Sequence, residues 1–395
     1  MNQTLENPSG NLRNRTGTRS AFTASFPDDA WPRQRQFAIG ATAAEREAAG
    51  SVKDTGLAAH EDSETGRTVQ PASGARLIDV HSHYLPEKYV DALVRAGHSK
   101  PSGMPGIPKW SVPEQIGMMD RFGIDAAVIS VSAPGIHFGD DAAARDLARY
   151  VNDEGAKAAQ LYPKRLGLFA SLPLPDIDGA LREIDYAFDV LKSDGVTLET
   201  NHNGVYLGSK ILDPVFGELN RRNAKVFIHP TNPHCTCCSR ESELPPIGYP
   251  FPMIEFMFET ARAVFNLILS GTLERYPNVQ IIVPHAGAVV PVLADRVTGL
   301  SPALGLEHPL NVANFYKTLR TLYYDLAGFP LPRQIGPLLE ISDPKRIMYG
   351  SDWPFTPVPL VESLLEQLNS TPLISPEMRR DFLHENALSL FPKFR

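Results

Sequence analysis

Two histidines stand two residues apart after the apolar run 77–80, within the segment LIDVHSH. Side chains of a β-strand alternate between its two faces, so His81 and His83 point the same way. Two neutral imidazoles that converge from one strand supply half of a zinc-type site. This segment therefore predicts a metal centre at the end of a strand.

Three further candidate ligands follow apolar runs later in the chain. They are His229 in IHP, His285 in PHAG and Asp352 in YGSDWP. A single histidine after a strand is more often a hydrogen-bonded structural residue, but packing alone poorly explains this placement after four separate runs. The set makes a metal-dependent enzyme the leading hypothesis.

The composition limits the partners and the compartment. The 395 residues are 43% hydrophobic, which allows a substantial core, and the net charge of −7 argues against a nucleic-acid-binding surface. No apolar run approaches the roughly 20 residues of a membrane span, and the N-terminal segment lacks a secretory apolar stretch. All three cysteines lie within residues 235–238, too close together to staple distant parts of a fold. We therefore expect a cytoplasmic protein with no membrane or nucleic-acid partner.

Residues 1–74 differ in composition from the rest of the chain. They are rich in Ser, Thr, Gly, Ala, Arg and Glu and show no sustained hydrophobic period, which is typical of disorder. The sequence thus predicts a disordered leader over residues 1–74 and one folded domain over residues 75–395.

Short apolar or β-branched runs recur eight times in the predicted domain. Segments of helical period lie between most of them, as at 140–161, 178–191 and 254–276. Strands that alternate with helices form a parallel sheet, and eight repeats predict a closed (β/α)8 TIM barrel. An open doubly wound sheet is the alternative, but no GxGxxG motif follows the first strand and no P-loop is present. The predicted strands are 77–80, 126–131, 166–170, 196–198, 226–228, 279–283, 322–324 and 347–349.

The barrel fold makes a geometric prediction about the five candidate residues. Functional groups of such barrels gather at the C-terminal ends of the strands. The candidates end or closely follow the first, fifth, sixth and eighth predicted strands. We therefore expect all five side chains to share one rim.

The wording and order of these motifs resemble those of a known family. IDVHSH, FIHPT, PHAG and YGSDWP together are similar to the amidohydrolase superfamily, in particular to its aminocarboxymuconate semialdehyde decarboxylase-like branch. Between them, GVYLG at 204–208 and FGELNRR at 216–222 resemble segments of fungal 6-methylsalicylate decarboxylases. The resemblance covers residues 76–391 and implies a (β/α)8 barrel of amidohydrolase type.

The resemblance also implies roles for the candidate residues. His81, His83, His229 and Asp352 would bind one divalent metal ion, with zinc as the first choice and manganese as the alternative. His285 would stand beside the metal as a catalytic acid, base or polarising group, and Asp352 would share in catalysis. The identity of the proton donor stays open between Asp352 and a metal-bound water.

The fourth strand bears on the number of metal ions. Binuclear relatives carry a modified lysine there, whereas this chain reads VTLET at 196–200. Glu199 could bridge two ions, but the missing lysine favours a mononuclear centre.

Substrate recognition rests on three further residues. Trp110 matches a loop tryptophan of carboxymuconate decarboxylases, but Gly106 stands where an arginine is expected, with Lys109 nearby. This departure favours a compact monocarboxylate over a dicarboxylate. Arg296, in the segment after PHAG, resembles an arginine that reaches a neighbouring subunit's pocket, which would require at least a dimer, and a homodimer is expected. A solvated helix residue is the equal alternative for Arg296.

Two other features leave their roles open. The aromatic and methionine residues of segment 251–258 could line an apolar substrate cavity, or they could form helix core or a subunit contact, and the second interpretation is favoured. Asp325, at the end of the seventh run, is a candidate to orient a neighbouring side chain.

Three functions fit these observations. The resemblance implies a non-oxidative decarboxylase of a small aromatic carboxylic acid, with conversion of 6-methylsalicylate to m-cresol in polyketide secondary metabolism as its best case. The same metal scaffold could instead serve a hydrolase or hydratase acting on a carbon–carbon bond or an enol. An inactive barrel kept for binding is the third hypothesis, and the complete set of candidate ligands argues against it.

Overall fold

The computed structural model describes residues 76–234, 248–304 and 311–395. The predicted disordered leader, residues 1–74, lies outside these ranges, as do the three cysteines. No helix within the described ranges is long and apolar enough to cross a membrane.

Eight parallel strands form the central sheet, and their order in the sheet is their order in the chain. The first strand meets the chain after the eighth through hydrogen bonds from Val80 N to Tyr349 O (3.0 Å) and from His83 N to Trp353 O (2.7 Å). These bonds close the sheet, so the predicted (β/α)8 barrel is confirmed. The strands are β1 (Leu77–His83), β2 (Ile124–Ser130), β3 (Leu166–Ser171), β4 (Gly195–Glu199), β5 (Lys225–His229), β6 (Gln280–Val283), β7 (Tyr323–Asp325) and β8 (Ile347–Met348).

Helices surround the strands and connect them. A short antiparallel hairpin, Asn201–His202 with Val205–Tyr206, follows β4. The α-helices are α1 (Glu87–Arg95), α2 (Val112–Phe122), α3 (Asp141–Leu161), α4 (Ile177–Asp185), α5 (Asp213–Arg221), α6 (Glu255–Leu269), α7 (Thr272–Arg275), α8 (Val290–Leu300), α9 (Val312–Thr321), α10 (Ile335–Ile341), α11 (Val358–Ser370), α12 (Pro376–Arg380) and α13 (Asn386–Leu390).

Two of the predicted helices are less regular than their hydrophobic period implies. The segment of helical period at 254–276 is helical but forms two helices, α6 and α7, because Gly271 takes a left-handed conformation (φ 71°) between them. The helix predicted over 178–191 begins as α4 and ends in a π-helical turn, Tyr186–Val190. Hydrophobic periodicity indicates which face is buried, but it does not reveal such a break.

Apolar side chains from the strands fill the barrel interior. Ile78 of β1 and Phe227 of β5 belong to this inner cluster, and Leu390 of the C-terminal segment packs into it. The same segment covers the N-terminal ends of the strands, where Lys393 Nζ donates to Leu166 O at the start of β3 (3.4 Å). With that end closed, polar side chains can collect at the opposite, C-terminal rim of the strands.

Candidate metal centre and active site

The five residues predicted from the sequence lie together on the C-terminal rim of the barrel. His81 and His83 lie among the last three residues of β1, and His229 ends β5. His285 and Asp352 lie in the loops that follow β6 and β8. The ring centroid of His81 is 5.0, 5.8 and 5.1 Å from those of the other three histidines. The prediction that these side chains share one rim is confirmed.

A β-bulge in β1 aims both of its histidines into the barrel. Between Asp79 and Ser82 the strand holds one residue more than the neighbouring β2. Val80 therefore packs in the barrel interior, and the next side chain, His81, also faces inward, with its ring 4.8 Å from that of Phe227. Such a bulge locally re-aims side chains beside a functional site.

Each strand histidine has its Nδ1 within hydrogen-bond distance of a fixed oxygen. When Nδ1 carries the donated proton, the other ring nitrogen, Nε2, keeps a lone pair for a metal ion. This shared arrangement also fixes the orientation of each ring. The pairs are His81 Nδ1 with Asp325 Oδ2 (2.9 Å), His83 Nδ1 with Ser130 Oγ (3.1 Å) and His229 Nδ1 with Pro230 O (2.8 Å).

The second ring nitrogens and one carboxylate oxygen converge on a single point. The Nε2 atoms of His81 and His83 are 3.1 Å apart, and Asp352 Oδ1 lies 3.4 and 3.0 Å from them. With His229 included, one ligand atom from each residue lies within 4.8 Å of the others. Metal–ligand bonds of about 2.0–2.1 Å place neighbouring ligand atoms roughly 3.0–3.4 Å apart. The four side chains can therefore hold one divalent metal ion.

Burial and the nearby carboxylates set the charges of these groups. Burial lowers the pKa of His81, but Asp325 and Asp352 outweigh burial and raise that pKa to about 10. Burial lowers the pKa of His83 and brings the pKa of His229 to about 4. Although burial opposes ionisation of Asp352, the facing imidazoles hold its pKa well below its usual range. Metal binding would thus displace a proton from His81, while the other ligands are already in their binding forms.

The loop after β8 ties Asp352 to the strand that carries the histidine pair. Asp352 has a left-handed backbone (φ 58°), which aspartate tolerates better than most residues. Its N–H donates to His81 O (2.7 Å), and its carbonyl accepts from Thr356 N (2.8 Å). Asp79 adds a second tie, because its carboxylate accepts from Ser351 Oγ (2.6 Å) and from His81 N (3.0 Å).

His285 stands in a loop of left-handed backbone that two side chains hold in place. Its φ is 55°, its N–H donates to Asp325 Oδ1 (3.0 Å), and its carbonyl accepts from Gln334 Nε2 (2.7 Å). The Nε2 atom of His285 lies 3.6 Å from Asp352 Oδ2. His285 therefore faces the carboxylate oxygen that is turned away from the histidine pair of β1.

Glu199 ends β4 and lies behind His229 rather than among the converging ligand atoms. Its Oε2 is 3.6 Å from His229 Nδ1, and this oxygen has no hydrogen bond within the part of the chain that the structure describes. Burial raises the pKa of the Glu199 carboxyl. The four converging residues do not include Glu199, which agrees with the mononuclear centre favoured by the missing lysine.

The three residues predicted to bind substrate lie outside the group of converging ligands. Trp110 packs against Tyr84, with ring centroids 5.8 Å apart, and its Nε1 donates to Gln115 Oε1 (3.1 Å). Lys109 and Arg296 are exposed. The roles of these three side chains in substrate binding stay predictions.

Aromatic rings flank the metal-ligand candidates on two sides. The ring centroid of Phe256 lies 6.2 Å from that of His229. The ring centroid of Phe355 lies 5.6 Å from that of His83, and both pairs are edge to face. Phe251 is buried and belongs to the same small cluster as Phe256, whereas Phe258 is 47% exposed. Segment 251–258 therefore contributes both a wall beside the site and an exposed surface.

Sequence reasoning missed several side chains that hold the site together. Ser130 and Ser132, around the end of β2, contact imidazole nitrogens, and Gln334 holds the loop of His285. Serine and glutamine are common in loops, so no spacing distinguishes these three. Asp325 was predictable because an acidic residue at a buried strand end needs a partner, and the structure pairs it with His81.

The fold and the site together define a (β/α)8-barrel protein with a metal-binding centre at its C-terminal rim. The chain belongs to the amidohydrolase family, whose sequence model matches residues 78–393. The family membership predicted from the motifs is confirmed.

Known relatives narrow the place of the chain within this family. Decarboxylase yanB of Aspergillus niger is 35% identical over 327 residues, which cover 80% of this chain and 88% of the relative. The 6-methylsalicylic acid decarboxylase of Penicillium expansum is 34% identical over 322 residues, which cover 80% and 97%. A crystal structure of an amidohydrolase II superposes with a TM-score of 0.73 at 34% identity, covering 80% of this chain and 99% of that one. The predicted resemblance to fungal 6-methylsalicylate decarboxylases is confirmed.

Replacing Asp325 by asparagine removes the charged acceptor of the His81 Nδ1 proton. We expect metal affinity to fall about 10- to 100-fold, because such partners orient the ligand ring and raise its basicity. Elemental analysis after equilibration with graded concentrations of a chelator measures this affinity. Asp91→Asn, at an exposed position of α1, is the matched control and should keep the wild-type affinity. Equal affinities in the two variants would contradict the role of Asp325.

Proposed function

We propose that this protein is a metal-dependent carboxy-lyase that removes carbon dioxide from a small ortho-hydroxybenzoate. The best candidate reaction is conversion of 6-methylsalicylate to m-cresol. The observation that carries the proposal is the convergence of three imidazoles and the Asp352 carboxylate on one point, with His285 beside them. The two fungal relatives, both named decarboxylases, support the reaction class, and the name of one of them supports the substrate.

We propose zinc as the metal that His81, His83, His229 and Asp352 would hold. Imidazole nitrogens and a carboxylate oxygen at these separations are ligands typical of zinc. Manganese is the alternative, since it also accepts carboxylate ligands. A bound divalent ion supplies Lewis-acid stabilisation of negative charge on the substrate oxygens.

The two oxygens of Asp352 face different partners, which supports a role in proton delivery. Oδ1 faces His81 and His83, whereas Oδ2 lies 3.6 Å from His285 Nε2 and 3.4 Å from Thr356 Oγ1. We infer that His285 passes a proton to Asp352 Oδ2, which delivers it to the ring carbon bearing the carboxylate. General acid catalysis requires such a donor within reach of the reacting carbon.

Delivery of that proton accounts for the whole reaction. Protonation of the ring carbon interrupts aromaticity. The bond to the carboxylate then breaks, carbon dioxide leaves, and the electron pair of that bond returns to the ring and restores aromaticity. The hydroxybenzoate anion and one proton together give the phenol and carbon dioxide, so no oxidant or reductant is needed. A proton from solvent then replaces the one that His285 has given up.

The walls beside the ligands support a compact aromatic substrate. Phe256 and Phe355 present rings on two sides of the histidines. Aromatic rings pack favourably against one another in offset or edge-to-face geometry. A benzoate ring with a small apolar substituent fits these surroundings better than an extended polar dicarboxylate.

The purified, metal-replete protein should release carbon dioxide and m-cresol from 6-methylsalicylate, and chelation should abolish this turnover until zinc is restored. A panel of salicylates, resorcylates and orsellinate, with carbon dioxide and the phenolic products measured together, tests the prediction. Absence of turnover across the panel by protein that holds its metal would overturn the proposal and favour the hydrolase or hydratase alternative.

Asp352→Asn should lower kcat for 6-methylsalicylate by about 10²- to 10⁴-fold, the usual contribution of a positioned proton donor. The amide cannot deliver a proton, while the three imidazoles can still hold part of the metal. Rates are therefore normalised to the metal content of each preparation. Asp91→Asn, which keeps every group at the rim, should leave kcat unchanged. A near-normal rate in metal-replete Asp352→Asn would refute the proposed donor.

We also propose that the protein is a cytoplasmic homodimer. Arg296 is exposed on α8 and forms no ion pair within the described ranges. The same helix exposes 70% of Val292, and the adjoining α6 exposes 47% of Phe258. An exposed arginine beside exposed apolar side chains favours a subunit contact.

The cytoplasmic compartment is proposed from the clustered cysteines, which cannot form a disulfide framework.

In this dimer we propose that Arg296 reaches the pocket of the neighbouring subunit and donates a hydrogen bond to the substrate carboxylate there. Arg296→Ala should therefore raise the KM for 6-methylsalicylate about tenfold with little change in kcat, because loss of one charge-assisted hydrogen bond weakens substrate binding by about that factor. Steady-state kinetics test this change, and light scattering of the wild type tests the dimer. Arg95→Ala, at an exposed position of α1, is the control. An unchanged KM would remove Arg296 from the site.

A further inference from the structure

The hydroxyl of Ser132 lies at the metal-facing side of His229. Ser132 is the second residue after the end of β2, and its side chain is buried. Its Oγ is 3.2 Å from His229 Nε2. Among the described residues, the hydroxyl of Ser132 has His229 Nε2 as its hydrogen-bond partner. No sequence motif predicts this contact.

The backbone around Ser132 is held by two further hydrogen bonds. The carbonyl of Ser132 accepts from Gly135 N (3.0 Å) and from Tyr89 Oη (3.3 Å), and the same tyrosine hydroxyl approaches Gly135 O (3.0 Å). Gly135 closes this turn with a φ of 79°, a conformation that favours glycine. The hydroxyl is therefore presented from a fixed turn.

The contact between Ser132 and His229 competes with metal binding. Because His229 Nδ1 approaches Pro230 O at 2.8 Å and donates its proton there, Nε2 has one lone pair. That lone pair can accept a hydrogen bond from Ser132 or bind an ion, but it cannot do both. When the ion is bound, the buried hydroxyl of Ser132 needs another acceptor, since an unpaired buried hydroxyl is unfavourable.

We propose that the hydroxyl of Ser132 donates a hydrogen bond to the carboxylate of the aromatic acid bound at the metal centre. This inference rests on the proposed function. A carboxylate beside the ion offers acceptor oxygens, and hydrogen bonds to a charged acceptor are stronger than neutral ones. Ser132 would thereby hold the carboxylate still while the proton reaches the neighbouring ring carbon. Holding reacting groups in the correct orientation lowers the activation barrier.

Ser132→Ala tests the proposal against a matched variant, Ser171→Ala. Ser171 ends β3 on the same rim, and its buried Oγ has no hydrogen-bond partner within the described ranges. Calorimetry on the metal-replete proteins measures binding of two probes. The first is 3-methyl-2-nitrophenol, in which a planar nitro group replaces the carboxylate of 6-methylsalicylate and cannot leave as carbon dioxide. The second is m-cresol, which lacks that group.

We expect Ser132→Ala to bind the nitrophenol about tenfold more weakly than the wild type, to bind m-cresol equally well and to keep full metal content. Ser171→Ala should match the wild type in all three measurements. Unchanged nitrophenol binding by Ser132→Ala would overturn the proposal. A parallel loss of m-cresol binding, or loss of metal, would also overturn it, because the hydroxyl would then serve the phenolic oxygen or the fold.

The turnover of the wild type separates this inference from the proposed function. A wild type that decarboxylates 6-methylsalicylate while Ser132→Ala binds the nitrophenol normally contradicts the role of Ser132 alone. A wild type that neither turns over the acid nor binds the nitrophenol contradicts the proposed function, and the inference falls with it.

Discussion

The orientation of three imidazole rings is the constraint on which the rest of this site depends. Each ring has its Nδ1 against a fixed oxygen, and its Nε2 therefore points to the shared space that Asp352 Oδ1 also faces. The bulge in β1 and the backbone around Gly350 serve this geometry. A Cβ at Gly350 would lie 2.7 Å from the Cβ of His81 and 3.2 Å from Asp325 Cγ. A side chain at that position would displace the ring and its acceptor together.

Keeping this many ionisable groups out of water requires a dense set of hydrogen bonds. Burial raises the pKa of Asp79 to about 7, although Ser351 and the His81 N–H both donate to its carboxylate. Asp325 is also buried, but the neighbouring imidazoles lower its pKa, and it accepts three hydrogen bonds. These carboxylates connect β1, β7 and the loop after β8, so the charges that hold the ligands also help to close the barrel.

The sequence alone predicted the barrel and the groups on its rim because both depend on local patterns. Eight apolar runs identified the strands, and each ligand candidate stood at the end of a strand or shortly after it. The helix break at Gly271 and the contacts of Ser132 and Gln334 were not predictable, because they depend on three-dimensional neighbours rather than on spacing. Even the histidine pair needed the fold, since the bulge decides which face of β1 the two rings occupy.

The central claim is that His81, His83, His229 and Asp352 hold one metal ion. Elemental analysis combined with X-ray absorption spectroscopy on the purified protein tests it most directly. We predict one divalent ion per chain, bound by three imidazole nitrogens and at least one carboxylate oxygen. Protein that folds and yet takes up no ion, or that binds two ions per chain at this rim, would contradict the claim.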